Sequence, residues 1–361
     1  MNLLLFSLVT DEEHVTLGFS LRWIAELSDY FDHIDVVTMY EGQHLLPENV
    51  QVWSVGRERG ISKMHRLGRF YRVLHEIYRL RRPHVAFTHM IHIFAVLFWP
   101  VARLTGVRNI LWYAHGAVPM GLRIAHRLVD RVMSSTPEGF RLPSRKVIFV
   151  GQGIDVALFG RPGDRGKERL QLITVGRMAP SKRLDLMLDA IDRWHGEGAE
   201  DWELDIIGAA TSPAERIYQD RLASRVRSMR DGHRIHLRGR LGPDGIASFL
   251  SRADVFISMG GTGSLDKAIV EGMASRCIVL GSNDAFRRIA GVEGFPDCGV
   301  PADAEALAQA LGRTARMSPE ERRKLGEAMR AVAVRDHSLP RLIERVAAEL
   351  RSLAAAPRER V

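Results

Sequence analysis

The stretch LQLITVGRMAPSKRLDLMLDAIDRW, Leu170–Trp194, decides how the chain folds. Leu170–Val175 is an apolar run of strand length, and Leu184–Trp194 places its apolar residues at helical spacing. Between them lies GRMAPSK, Gly176 to Lys182. A buried strand that turns at a glycine into a helix is the repeating piece of a parallel sheet, because parallel neighbours can be joined only by a crossover. Ligands of such sheets sit beyond the carboxyl ends of the strands, so the turn carrying Gly176, Arg177 and Lys182 is expected to face a cleft.

The same rhythm runs through the rest of the chain. Apolar runs bounded by turn residues predict strands at Leu3–Val9, Ile34–Met39, Val50–Val55, Val85–His89, Asn109–Ala114, Arg131–Ser135 and Val147–Val150, with helices between them. Phe159 to Lys167, rich in Gly, Pro and charge, reads as a linker. Beyond it strands are expected at Leu170–Val175, Glu203–Ile207, Ile235–Arg238, Val255–Ser258 and Ile278–Gly281. Helical period returns from Ala304, and Pro340 is suited to opening a last helix. The expected class is therefore α/β, two doubly wound Rossmann-like domains facing across a cleft. They are placed at 1–159 and 160–338, with a C-terminal helix over 339–361.

Composition removes several classes. The two cysteines, Cys277 and Cys298, make no disulfide framework and belong to no metal-type cluster, which points to a reducing, cytoplasmic compartment. MNLLLFSLVT lacks a basic leader and runs into Asp11, Glu12 and Glu13, so it reads as a buried strand rather than a signal peptide. The longest apolar run, Ile91–Val101, falls short of the roughly 20 residues that span a bilayer. The net charge of +8 is unevenly spread, since residues 1–56 carry one arginine against nine acids and residues 57–82 nine Lys or Arg against two. That basic segment suits an anionic surface; no reading helix, zinc finger or aromatic RNA motif accompanies it, so nucleic acid is not the expected partner.

The candidate chemistry lies at strand ends. Arg177 can make forked hydrogen bonds and Lys182 supplies a movable point charge, a pair suited to a diphosphate; read alone, such a pair is more often a solvated loop. GTGSLDKAIVEGMA, Gly261 to Ala274, follows the strand Val255–Ser258. Small residues at Gly260, Gly261, Thr262, Gly263 and Ser264, just before Leu265, let the backbone approach a ligand and start a helix whose free amides attract anions. Glu271, inside that helix, can accept hydrogen bonds from ribose hydroxyls, or be an ordinary exposed helix acid. YAHG, Tyr113 to Gly116, puts His115 at a strand end, where an imidazole can steady a sugar hydroxyl or simply serve structure. Gly18 follows the first strand and offers an amide to a ligand, and Gly239, Arg240 and Leu241 follow another strand where a base can be read by backbone.

Taken together these residues resemble the retaining glycosyltransferases of sequence family four. The likeness rests on YAHG, then GQGIDVALF (Gly151 to Phe159), then GRMAPSK with its Lys five residues after the Arg, then GTGSLDKAIVEGMA, and it covers nearly the whole chain. It implies GT-B architecture, a nucleotide diphosphate-sugar donor of UDP or GDP type held by the second domain, and retention of anomeric configuration by same-face attack. It further implies diphosphate contacts from Arg177 and Lys182, a sugar-side His115, and a last helix that crosses back to the first domain. No cofactor is implied. The family usually has two glutamates separated by seven residues; Glu271 matches the second, and Gly263 stands at the first, which in the family helps hold the donor sugar. Asp266 or Ser264 is then left to compensate, although Asp266 reads equally well as a helix-start acid answering the dipole.

With no DxD pattern in a suitable loop and two cations available, metal-independent transfer is expected. Within 57–82 the residues Ile61, Met64, Leu67, Phe70, Tyr71, Leu74, Ile77, Tyr78 and Leu80 recur at helical spacing opposite Arg and Lys. Such a helix can lie on anionic headgroups, which favours a glycan or lipid-linked acceptor and a peripheral place on the inner face of the cell membrane; a solvated helix has the same stripe. Two rival readings stay open, a sugar-nucleotide epimerase and a non-catalytic nucleotide-sugar-binding module. A nicotinamide oxidoreductase is disfavoured because SLVTDEEHVTLG lacks the GxGxxG turn.

Overall fold

The computed structural model describes residues 1–12, 19–163, 169–196, 201–261 and 263–356. Gly18, Thr262 and residues 164–167 of the expected linker lie outside the described residues. Among the described residues twelve parallel strands fall in two sheets, and the chain divides into two compact units. Unit 1 comprises Met1–Gly151 and Leu339–Val361, and unit 2 comprises Gln152–Ser338.

In unit 1 the strands are β1 (Asn2–Thr10), β2 (His33–Glu41), β3 (Val50–Ser54), β4 (Val85–His89), β5 (Arg108–Trp112), β6 (Arg131–Ser134) and β7 (Val147–Phe149). They form one sheet in the order β3-β2-β1-β4-β5-β6-β7. The helices are α1 (Phe19–Ser28), α2 (Lys63–Leu80), α3 (His92–Thr105) and α4 (Met120–Leu128). In β1 successive side chains serve opposite faces: Leu3 and Leu5 join a core with Trp23, Ile24 and Leu27 of α1, while Leu4 and Phe6 join Phe70 and Leu74 of α2 and Phe94 and Phe98 of α3. A strand covered on both faces must be apolar throughout, which is why MNLLLF carries no alternation.

Unit 2 repeats the plan with β8 (Leu170–Val175), β9 (Trp202–Ile207), β10 (Ile235–Gly239), β11 (Val255–Ser258) and β12 (Ile278–Gly281), ordered β10-β9-β8-β11-β12. Its helices are α5 (Leu184–Gly196), α6 (Pro213–Ser228), α7 (Pro243–Arg252), α8 (Lys267–Ala274), α9 (Asp284–Val292), α10 (Ala304–Arg316) and α11 (Pro319–His337). The chain returns to unit 1 in α12 (Leu339–Ala355), which buries Leu342, Val346, Ala347 and Leu350 beside Leu3, Val85 and Phe87. Pro340 is its second residue, where a missing N–H costs nothing.

Every expected strand is present, within a residue or two at each end. In both sheets the order reverses next to the first strand, between β1 and β4 and between β8 and β11. Such reversals leave a crevice at the carboxyl ends of the strands, where ligands of these folds bind.

The basic helix departs from its expected stripe. α2 begins at Lys63, capped by the Ser62 hydroxyl, so Ile61 lies before it. Its buried residues are Phe70, Val73, Leu74 and Ile77, whereas Met64 and Leu80 are exposed. A stripe wide enough to read as one face in sequence is therefore only half used for packing.

Candidate functional site

Glycine makes the carboxyl edge of the second sheet. Gly176, immediately after β8, has φ +155° and donates its N–H to the Ile207 carbonyl at 2.9 Å. Gly208, immediately after β9, has φ +143° and donates to the Gly239 carbonyl at 2.8 Å. A Cβ on Gly208 would stand 1.7 Å from the Gly176 carbonyl oxygen, so the two loops pass closer than any side chain permits. Gly239, with φ +69°, ends β10, and the Arg240 side chain beyond it is exposed. Gly208 was not singled out in the sequence, although it repeats the pattern of Gly176, a glycine directly after an apolar run.

The turn after Gly176 contains Pro180–Lys182 as one 3-10 turn, which carries Lys182 back over the sheet edge. A small pocket is lined there by Thr174, Gly176, Arg177, Lys182, Ser258 and Met259. On the other side of β8 the chain leaves β11 through Gly260, where a Cβ would meet the Ser181 carbonyl at 3.2 Å and the Lys182 side chain at 3.5 Å. Gly176, Arg177, Lys182 and the segment from Gly260 thus share one edge. Gly239 and Arg240 lie two strands away on the same edge.

The segment 263–266 is tied down by side chains from elsewhere in unit 2. Asn283 donates to the Ser264 carbonyl at 2.8 Å, and Gln152 donates to the Leu265 carbonyl at 3.2 Å. Gly263 has φ +83° and is buried. The helix does not start in the glycine run as expected. It starts at Lys267, with Asp266 as N-cap accepting the Ala268 N–H at 3.3 Å. The free amides expected near Ser264 are therefore loop amides, and one amide of the first helical turn is already taken. Glu271 is not an exposed helix acid, since only 8% of its surface is accessible. Burial pushes its carboxyl above the usual range, partly offset by Lys267, whose ammonium lies 3.7 Å away.

Both cations meet carboxylates of the chain itself. Arg177 Nη1 donates to Glu215 Oε1 at 2.8 Å, with half of the arginine side chain exposed. The Thr211 hydroxyl and amide, and then Arg177, hold the Glu215 carboxyl below its ordinary range. Lys182 Nζ pairs with Asp266 Oδ2, and both side chains are largely shielded from solvent. Neither pairing was read from the sequence. Ser212 and Glu215 have the spacing of a helix start, and Ser212 does cap α6, but the Glu215 carboxylate turns to Arg177 and Thr211.

His115 belongs to unit 1. β5 ends at Trp112, two residues short of the expected end, so His115 sits in the loop beyond it and is exposed. Its Nδ1 accepts the Ala117 N–H at 3.0 Å, which leaves the ring proton of the neutral tautomer on Nε2 as a donor. Another histidine of this sheet, His89 at the end of β4, is buried against Trp23 and Trp112, and desolvation lowers its pKa to about 4. Among the described residues no group of three or more His, Cys, Asp or Glu is placed to hold a metal ion, and no helix is long and apolar enough to cross a membrane.

Residues 169–316 match the family of glycosyl transferases group 1. Comparison with curated proteins gives no match. Among solved structures, sucrose-phosphate synthase from Thermosynechococcus elongatus superposes with a TM-score of 0.77 at 15% identity, over 99% of this chain and 100% of that one. HepE of Anabaena in complex with UDP gives 0.74 at 13% identity, over 98% and 100%. An E. coli trehalose-6-phosphate protein bound with UDP-2-fluoro glucose gives 0.72 at 13%, over 99% and 100%. The chain therefore has the GT-B fold of two Rossmann-like domains, and its second unit carries a group 1 glycosyl transferase segment, in line with the resemblance carried by the motifs.

Proposed function

We propose that this chain, built on the GT-B fold with a group 1 glycosyl transferase segment, is a metal-independent retaining glycosyltransferase. It takes a sugar from a nucleoside diphosphate donor of UDP or GDP type. The observation that carries the reading is the gathering of Arg177, Lys182, a glycine-lined strand edge and the buried Glu271 at one end of the second sheet. The presence of UDP and of UDP-2-fluoro glucose with the similarly folded proteins supports a UDP-sugar donor here.

In the reaction the bond between the anomeric carbon and the phosphate oxygen breaks, and a bond from the acceptor hydroxyl oxygen to that carbon forms. The acceptor proton passes to a leaving phosphate oxygen. Negative charge gathers on the diphosphate as the bond lengthens, and Arg177 and Lys182 stabilise it more in the transition state than in the bound donor. Glu271 accepts the ribose hydroxyls. The Nε2 proton of His115 is assigned to a sugar hydroxyl.

The acceptor in this reading is a glycan or a lipid-linked molecule. Exposed Met64 and Leu80 on α2, with Lys63, Arg72, Arg79 and Arg82 also exposed, support attachment to an anionic membrane face. Flotation with phosphatidylglycerol vesicles at low salt tests that attachment, and a chain that stays in the unbound fraction removes it.

Calorimetric titration with UDP, GDP and their sugars tests the donor, followed by transfer assays read by mass spectrometry and by NMR of the anomeric proton, with and without EDTA. Retained configuration and EDTA resistance are expected. Inversion, or activity lost to chelation and restored by metal, refutes the mechanism. A second reading, a binding module without turnover, is favoured by Gly263, which stands where the family that the motifs resemble usually has a glutamate. Tight nucleotide binding with neither transfer nor hydrolysis over a broad acceptor panel would establish it.

A further inference from the structure

Both cations assigned to the diphosphate are already matched by carboxylates, and the two matches differ in kind. Glu215 keeps only 12% of its side-chain exposure, but Arg177 keeps 50%, so the guanidinium can turn to solvent and change partner at little cost. Lys182 and Asp266 retain only 19% and 18% of their side-chain exposure. A shielded ammonium keeps a carboxylate close because neither can recover its lost hydration separately. Asp266 is held for this work by its second oxygen, which accepts the Ala268 N–H and fixes the carboxylate at the start of α8.

We infer that Asp266 is a built-in counter-ion which the donor diphosphate must displace from Lys182, and which reclaims Lys182 when the nucleotide leaves. The inference rests on the assignment of Lys182 to the diphosphate proposed above. It makes Asp266 a positioning residue acting through Lys182. Such an arrangement keeps a partly shielded cation satisfied between turnovers and opposes the over-tight binding of a nucleoside diphosphate product. It also gives Asp266 a role distinct from that of the glutamate replaced by Gly263, which would hold the sugar.

The test separates charge from cap. Asparagine caps a helix as well as aspartate, so Asp266→Asn keeps the bond to Ala268 and removes only the charge. Asp266→Ala removes both. Calorimetry is run on the full chain with UDP, GDP, inorganic pyrophosphate, and uridine and guanosine as phosphate-free controls. Asp266→Asn is expected to bind the preferred diphosphate at least about tenfold tighter, the low end of the coupling found for close charge pairs. Affinity for the nucleosides should not change. Asp266→Ala should show the same tightening with a lower melting temperature.

A folded Asp266→Asn that binds the diphosphate no tighter than the wild type overturns the inference and leaves the donor site standing. Tightening that extends equally to the nucleosides also overturns it, since the effect would then not pass through phosphate. If the wild type binds neither nucleoside diphosphates nor pyrophosphate, the donor-site reading itself falls and takes the inference with it.

Discussion

Gly208→Ala probes the construction of the site without touching a charged group. Its Cβ would lie 1.7 Å from the Gly176 carbonyl oxygen, and that oxygen must recede to at least 3.0 Å before the contact resembles a real one. The oxygen belongs to the residue that precedes Arg177, so relief moves the diphosphate turn. An alanine at φ +143° adds backbone strain of about 1–3 kcal/mol, and the forced contact about as much again. A loss of about 2–6 kcal/mol is a large share of the roughly 5–15 kcal/mol that holds a domain folded. Thermal melting followed by circular dichroism should show the second unit falling by roughly 5–20 °C, with nucleotide affinity lost alongside. Gly242→Ala is the control: its added Cβ meets nothing within 4 Å, so it should stay within about 1 kcal/mol of the parent. If Gly208→Ala melts with the parent and keeps its nucleotide affinity, the close passage of the two loops does not shape the site.

Three further outcomes follow from the cores and buried groups. Phe6 packs against Phe70, Phe94 and Phe98 with ring centroids 5.9, 5.5 and 5.1 Å away, so Phe6→Ala should cost about 3–5 kcal/mol in urea unfolding, and a loss under 1 kcal/mol would contradict that packing. Burial lowers the His89 pKa from 6.5 to about 4, so the unfolded chain binds the extra proton between these values. The stability His89 contributes is present above pH 6.5 and declines by about 3 kcal/mol as pH falls toward 4, whereas His89→Leu should lack that slope; equal slopes refute it. Glu271 has the opposite sign: burial raises its pKa above 4.5, so its ionisation destabilises the fold as pH rises past that value. Glu271→Gln should therefore gain stability relative to the parent at pH 7 compared with pH 4, and a pH-independent difference would rule this out.

The framework was legible because strands buried on both faces read as unbroken apolar runs, and MNLLLF, VAFTH and LQLITV each stand out without any knowledge of their partners. Gly176 and Gly239 were legible for the same reason, as punctuation of those runs, whereas Gly208 was not, although it too follows an apolar run. Pairings across long separations left no such trace. Glu215 lies thirty-eight residues beyond Arg177, and Asp266 eighty-four beyond Lys182, and only the folded sheet edge brings them together. Local pattern placed Asp266 near a helix start, but the helix begins after it because its own carboxylate makes the cap. The stripe on α2 is wider in the sequence than in the packing, because periodicity records which residues share a face, while Met64 and Leu80 stay exposed.

Arg177→Gln together with Lys182→Met removes the two charges assigned to the diphosphate while keeping side chains of similar length. Each charge-assisted hydrogen bond lost is worth about 1.5–3 kcal/mol, so affinity for UDP or GDP measured by calorimetry should drop at least about a hundredfold. A doubly substituted chain that melts like the parent and binds its nucleotide equally well would contradict the assignment of the diphosphate to these two side chains.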